Sequence, residues 1–137
     1  MAPLSSARQI AFIALLVALT LTACTRAVEL VDLTTGSALT GTHSLWSRSM
    51  AVTLQTGEIA TGTYTKLTTA QIGPDSLFFG ANAGELLGRH AAERAYGHAR
   101  LTGGQGTLVE IIFASDWLGH GYGVARTSLK EEYRVTF

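Results

Sequence analysis

An all-β fold, a small antiparallel meander closed as a barrel or packed as a sandwich, is predicted by three observations. Apolar and polar residues alternate at period two in separate stretches, glycine turn signals recur at roughly 8–12-residue spacing, and helical spacing is confined to one short segment, residues 82–96. Met50, Val52 and Leu54 alternate with Ala51, Thr53 and Gln55, which places three apolar side chains on one face of a strand. Val109, Ile111 and Phe113 repeat the pattern, and so do Tyr133, Val135 and Phe137. Of the two architectures the barrel-like meander is favoured, because the strand candidates follow one another with short turns.

In chain order, AVELVDL (27–33) reads as a first strand, followed by a Thr- and Gly-rich stretch that reads as turn. Thr56-Gly57 breaks the strand at Met50, and EIATGTYTKL (58–67) resumes as a second strand with Gly62 a bulge or close-approach point, so the two form a hairpin. An echo of 21 residues relates TGSALTGT (35–42) to TGEIATGT (56–63), which is recurrent hairpin chemistry and too short for a solenoid. Asn82 is a candidate N-cap with Glu85 three residues on, opening a short helix over 82–96 that Gly84 and Gly88 weaken. Strands resume over 95–102, 107–114 and 122–128, separated by Gly103-Gly104-Gln105-Gly106 and by the loop SDWLGHG (115–121).

The N-terminal segment has a different character. Arg8 is the one charge in residues 1–9, and IAFIALLVALTL (10–21) is uncharged and almost wholly apolar, the n-region and h-region of an export signal. The segment ends in Leu21-Thr22-Ala23-Cys24, which resembles the bacterial lipobox, with Cys24 the single cysteine of the chain. The resemblance implies cleavage before Cys24, lipidation of its thiol, palmitate among the acyl chains, and attachment to a membrane outside the cytoplasm. A spanning helix needs about 20 apolar residues, more than the 15 between Ile10 and Cys24. Each buried methylene adds about 0.8 kcal/mol, so a multiply acylated cysteine stays anchored. Thr25 is not the aspartate that resembles an inner-membrane retention signal, which favours the outer membrane, facing the periplasm. The expected organisation is a signal peptide at 1–23, an acylated N-terminus and tether at 24–40, and a β-rich domain at 41–137.

Removing 23 of the 137 residues leaves 114, enough for one domain with one core. Arg8 leaves with the signal, so nine Lys and Arg face ten Asp and Glu, a formal charge of −1. That balance argues against nucleic acid, which is held by clustered basic residues. With Cys24 lipidated no thiol remains, so the domain holds by packing without a disulfide.

Asp116, Trp117, His120 and Tyr122 share one loop, with His98 and Glu110 on the strands before it. Imidazole and carboxylate groups ligate zinc and transfer protons, but their spacing matches no metal motif, and a Gly-flanked aromatic loop is more commonly a packed turn. The loop is therefore expected to be a recognition surface anchored by Trp117, with no metal, no cofactor and no catalytic role. His43 and His90 are weaker candidates. The glycines at 103, 104 and 106 and at 119, 121 and 123 open no helix, so they read as turns and not as nucleotide cradles. No Gly-x-Ser-x-Gly elbow is present. Arg89, Arg94, Arg100, Arg126 and Arg134, interleaved with Glu85, Glu93 and Glu110, read as a solvated, ion-paired surface.

Over about residues 95–137, the Gly-rich run ending in Gly-Thr, the apolar strand, the Gly-x-Gly loop and the final Tyr-x-Val-x-Phe strand resemble small uncharacterised proteobacterial lipoproteins of unknown function. That resemblance implies location more than activity. The expected role is a non-enzymatic accessory or structural lipoprotein that presents a β-domain to an envelope protein partner. The alternative is a small-ligand-binding barrel or a module similar to the lipoproteins that inhibit lysozyme. The latter are approached through SLKEEY (128–133), where their Ser-Gly-x-x-Tyr pattern is broken at Leu129. A metal-dependent hydrolase using the 116–122 loop ranks last.

Overall fold

The structure, a computed structural model, describes residues 25–68, 72, 76–80, 83–87, 95–116 and 119–137. Eight antiparallel strands follow one another as β1 (Thr25–Asp32), β2 (Ala38–Ser44), β3 (Ser49–Thr53), β4 (Ile59–Leu67), β5 (Ala95–Gly103), β6 (Leu108–Ser115), β7 (Gly121–Thr127) and β8 (Glu132–Thr136). Each pairs with the next, and β1 pairs with β8 through Leu30 opposite Val135, so the meander closes into a barrel. Closure leaves no strand edge unpaired.

The alternation read from sequence sets the inside. Met50, Val52, Leu54, Val109, Ile111, Phe113, Tyr133 and Val135 are all buried in one core with Val28, Leu30, Leu101 and Tyr64, and Phe137 packs against it. Outward positions on β1 to β4 carry Glu29, Thr40, Thr42, Thr53, Thr61, Thr63 and Thr65, all exposed. Barrels that cross bilayers have the reverse polarity, with the apolar band outside.

Four hairpins share one turn geometry, in which the amide of the first residue donates to the carbonyl four positions on and the fourth amide donates back to the first carbonyl. The pairs are Leu54 and Glu58, Gly103 and Thr107, Asp116 and His120, and Thr127 and Glu131. The fourth position then needs a positive φ, which Gly57 (84°), Gly106 (90°) and Gly119 (81°) adopt freely, whereas Lys130 (62°) holds it with a side chain.

The strand read at 27–33 is β1 (Thr25–Asp32), and residues 38–40, grouped with the tether, begin β2. The β2 sequence alternates poorly because its central inward position is Gly41, where a Cβ would strike the Ala51 carbonyl oxygen. Of the short helix expected over 82–96, residues 82 and 88–94 lie outside the described residues, Ala83–Leu87 form a 3-10 turn and 95–96 already belong to β5. Gly62 proves to be a close approach and not a bulge. The ladder runs unbroken from Ser49 opposite Thr63 to Thr53 opposite Ile59, and a Cβ at Gly62 would overlap the Arg100 carbonyl.

The long connection from β4 to β5 crosses the outer wall of the barrel. Ile72, Phe79, Ala83 and Leu87 pack on Ile112 and Ala114 with Tyr96, Tyr122 and Val124 beside them, a second core outside the first. Tyr122 donates its hydroxyl to the Leu87 carbonyl at 2.7 Å, and Arg126 donates to the Phe78 carbonyl at 3.1 Å with its guanidinium over the Phe79 ring.

Candidate functional site

The two ends of the barrel differ. At one end, buried carboxylates close the turns leaving β1, β3 and β5, and the Thr127 hydroxyl with the half-buried Glu131 closes the turn leaving β7. Glu58 accepts from the Gln105 amide at 2.7 Å, the Thr107 amide at 3.2 Å and the Thr107 hydroxyl at 2.6 Å, which ties two turns together over Gly103. These bonds, the Thr107 hydroxyl first, hold the Glu58 carboxyl below its ordinary range. Asp32 accepts from the Thr35 and Thr34 amides at 2.9 and 2.7 Å, which likewise lower it. Tyr133 is pushed up by burial and by donating to Glu131 at 2.9 Å.

The other end holds Thr25, the β2–β3 loop at 45–48, the 116–120 loop and Phe137, and there the barrel is open. A cavity of about 420 Å³ enters it, lined by His43, Tyr64, Lys66, Phe113, Ser115 and Asp116 among others, within the roughly 300–1,000 Å³ of small-molecule sites. Its floor is four rings in edge-to-face contact. Phe137 lies 4.9 Å from Phe113 and 5.1 Å from His43, and Tyr64 lies 5.5 Å from Phe113 and 6.5 Å from His43, centroid to centroid. Tyr64 donates to the Ser44 carbonyl at 3.2 Å.

His43 is 5% exposed, and its Nδ1 has no hydrogen-bond partner. Burial, reinforced by the Arg26 charge, lowers its pKa, so the ring is neutral at pH 7 and presents a polar atom in an apolar setting. A buried nitrogen left without a partner is costly, and a ligand polar group would remove that cost. Lys66 lies in phase with Ala60, Gly62 and Tyr64, so β4 sends it to the same inner side, at the rim.

The sequence-predicted loop is divided by the fold. Asp116 and His120 stay together at the rim, with the His120 amide donating to Asp116 Oδ1 at 3.0 Å and His120 Nε2 lying 3.4 Å from Arg26. Tyr122 is on the outer wall beneath the β4–β5 connection, and Trp117 lies outside the described residues. His98 and Glu110 face each other at 3.6 Å on that outer wall, apart from the rim.

Glu110 is not the solvated, ion-paired group expected. It is fully buried and accepts from the Ser76 hydroxyl at 2.7 Å and from the Leu77 and Phe78 amides, pinning the crossing segment. Arg126 does form an ion pair, with Glu132 at 2.7 Å. His90, Arg89, Arg94 and Glu93 lie outside the described residues.

Sequence reasoning missed the cavity residues Tyr64 and Lys66 and ranked His43 low. The usable signal was a strand that stays in phase and ends in a cation on its inward side, which marks an end where the barrel interior meets water. No family model, no curated protein and no solved structure matches this chain at a significant level.

Proposed function

We propose that this chain is an outer-membrane lipoprotein, acylated on Cys24, whose barrel is a non-enzymatic binding module for a small molecule with an apolar body. The observation that carries the reading is the open cavity, with four rings as its floor and an unpartnered buried His43 nitrogen among them. Apolar cavities with few polar groups orient small ligands by those groups, here His43 Nδ1 within and Lys66 at the rim. The closed opposite end supports the same reading, because a single entrance suits capture and release more than passage. The hydrolase reading loses its ligand set, since Tyr122 and the pair His98 and Glu110 lie away from the rim where Asp116 and His120 meet.

The test uses the uncharged dye N-phenyl-1-naphthylamine, which fluoresces in apolar surroundings. Saturable enhancement by the wild type, lost in Ser115→Phe with an unchanged far-UV circular dichroism spectrum, is the expected result. Equal binding by the two proteins, or none by either, overturns the proposal.

A further inference from the structure

The most exposed large apolar side chain among the described residues is Trp46, at 88%, and it sits beside the entrance of the cavity. It occupies the β2–β3 loop with Leu45, itself 44% exposed and lining the cavity rim. An indole left in water at that level has no folding role, because it buries almost none of its surface. Its surroundings are basic. Arg26, Arg48 and Lys66 belong to this end of the barrel, against Asp116 among the described residues, and Asp116 is engaged by the His120 amide of its own loop. The closed end has the opposite balance, with Asp32, Glu58, Glu131 and Glu132 against Lys130 and Arg126.

The chain also enters the barrel at the open end. Thr25 is the first residue of β1 and pairs with Ser44, the last residue of β2 before the Trp46 loop. Cys24 is bonded directly to Thr25, so a lipid on its thiol is joined to the chain at that rim. A lipid on Cys24 would therefore hold the open end, and not the acidic closed end, against the membrane.

We infer that the open end of the barrel docks on the surface of an anionic phospholipid bilayer, with Trp46 and Leu45 in the interface and Arg26, Arg48 and Lys66 over the phosphates. The inference rests on the anchoring at Cys24 proposed above, and adds an orientation to it. Indole rings favour the headgroup region, where the apolar body and the N–H are both accommodated, and cations near an anionic surface add attraction. A mouth held in this way meets ligands that come out of the bilayer.

The test reconstitutes the purified mature protein, cut before Cys24 and acylated there, in vesicles of phosphatidylethanolamine and phosphatidylglycerol carrying acyl-chain bromines, with Trp46→Phe to subtract the second tryptophan. The chain is expected to float with the vesicles, and the Trp46 emission to be blue-shifted and quenched by the bromines, since an indole in the headgroup region lies within reach of the acyl chains. Flotation with Trp46 emission that is red and unquenched overturns the docking and leaves the anchoring intact. A blue-shifted but unquenched emission also overturns it, because Trp46 is then covered by protein, a second copy or a partner. Failure to float overturns the anchoring and the docking together.

Discussion

Alanine at Gly97 is expected to act through the Phe113 ring. Gly97 is an inward position of β5 opposite Phe113 on β6, and a Cβ there would lie within 2.6 Å of three atoms of that ring. The ring cannot turn away freely, since Tyr64 and Phe137 stand at 5.5 and 4.9 Å, so it must move toward the cavity. Replacing a strand glycine gains about 0.5–1 kcal/mol in backbone entropy. Overpacking costs about 1–3 kcal/mol, which leaves Gly97→Ala destabilising by up to about 2.5 kcal/mol, with a midpoint of about 1 kcal/mol. Phe113→Ala alone removes a buried ring and should cost about 3–5 kcal/mol, toward the lower end because water can enter from the mouth. In the double variant the added methyl occupies space the ring has left, so the two effects should fall short of additivity by about 1–3 kcal/mol. Urea denaturation of the four proteins measures the cycle, and thermal melts read it as shifts of about 4 °C per kcal/mol, between the values for smaller and larger domains. Additivity within about 0.5 kcal/mol would refute the argument, because it would mean that Gly97 and Phe113 do not share the space. Dye affinity gives a second reading, with Gly97→Ala binding more weakly than wild type as the ring fills the cavity.

Glu110→Gln keeps the shape but offers its amide N–H groups to the Ser76, Leu77 and Phe78 donors, so a loss of about 1–3 kcal/mol and faster hydrogen exchange at the Leu77 and Phe78 amides are expected. Unchanged exchange there would show that Glu110 does not hold the crossing segment. Lys130→Gly relieves a left-handed residue that costs about 1–2 kcal/mol, less the entropy of glycine, and should raise stability by up to about 1 kcal/mol in denaturant melts. A lower denaturation midpoint for that variant contradicts the strain. The folded pKa of His43 lies below its ordinary 6.5, so the unfolded chain binds more protons below that value and stability falls as pH drops from 6.5 toward the folded value. Asp32 and Glu58 act in a lower window, their contribution present above their ordinary 3.8 and 4.5 and lost as pH falls through their depressed folded values. Thermal melts of His43→Gln should flatten the first window only, and an unaltered slope just below pH 6.5 would count against the assignment. Cys24→Ser should abolish labelling by an alkyne fatty acid and leave the precursor uncut, and equal labelling of mutant and wild type would reject the lipoprotein reading.

Sequence alone determined the β content, most strand positions and the core of this protein. Strand alternation and turn chemistry are local: Val109, Ile111 and Phe113 must share a face whatever lies opposite, and Gly57, Gly106 and Gly119 allow the positive φ of a tight hairpin without reference to the rest of the chain. Where local patterning was interrupted, the reading failed. Gly41 took the place of an inward side chain in β2, so its alternation could not be read. Tertiary structure decided the rest. The closure of β1 on β8 pairs Leu30 with Val135, and no window of local sequence carries a contact between residues so far apart. The same closure sends His43, Tyr64 and Lys66 to one open end and buries Glu110 under a segment that begins beyond β4. It also parts Tyr122 from Asp116 and His120. Neighbours in sequence point to opposite sides of a sheet wall, so a seven-residue loop that reads as one cluster is split between the mouth and the outer face.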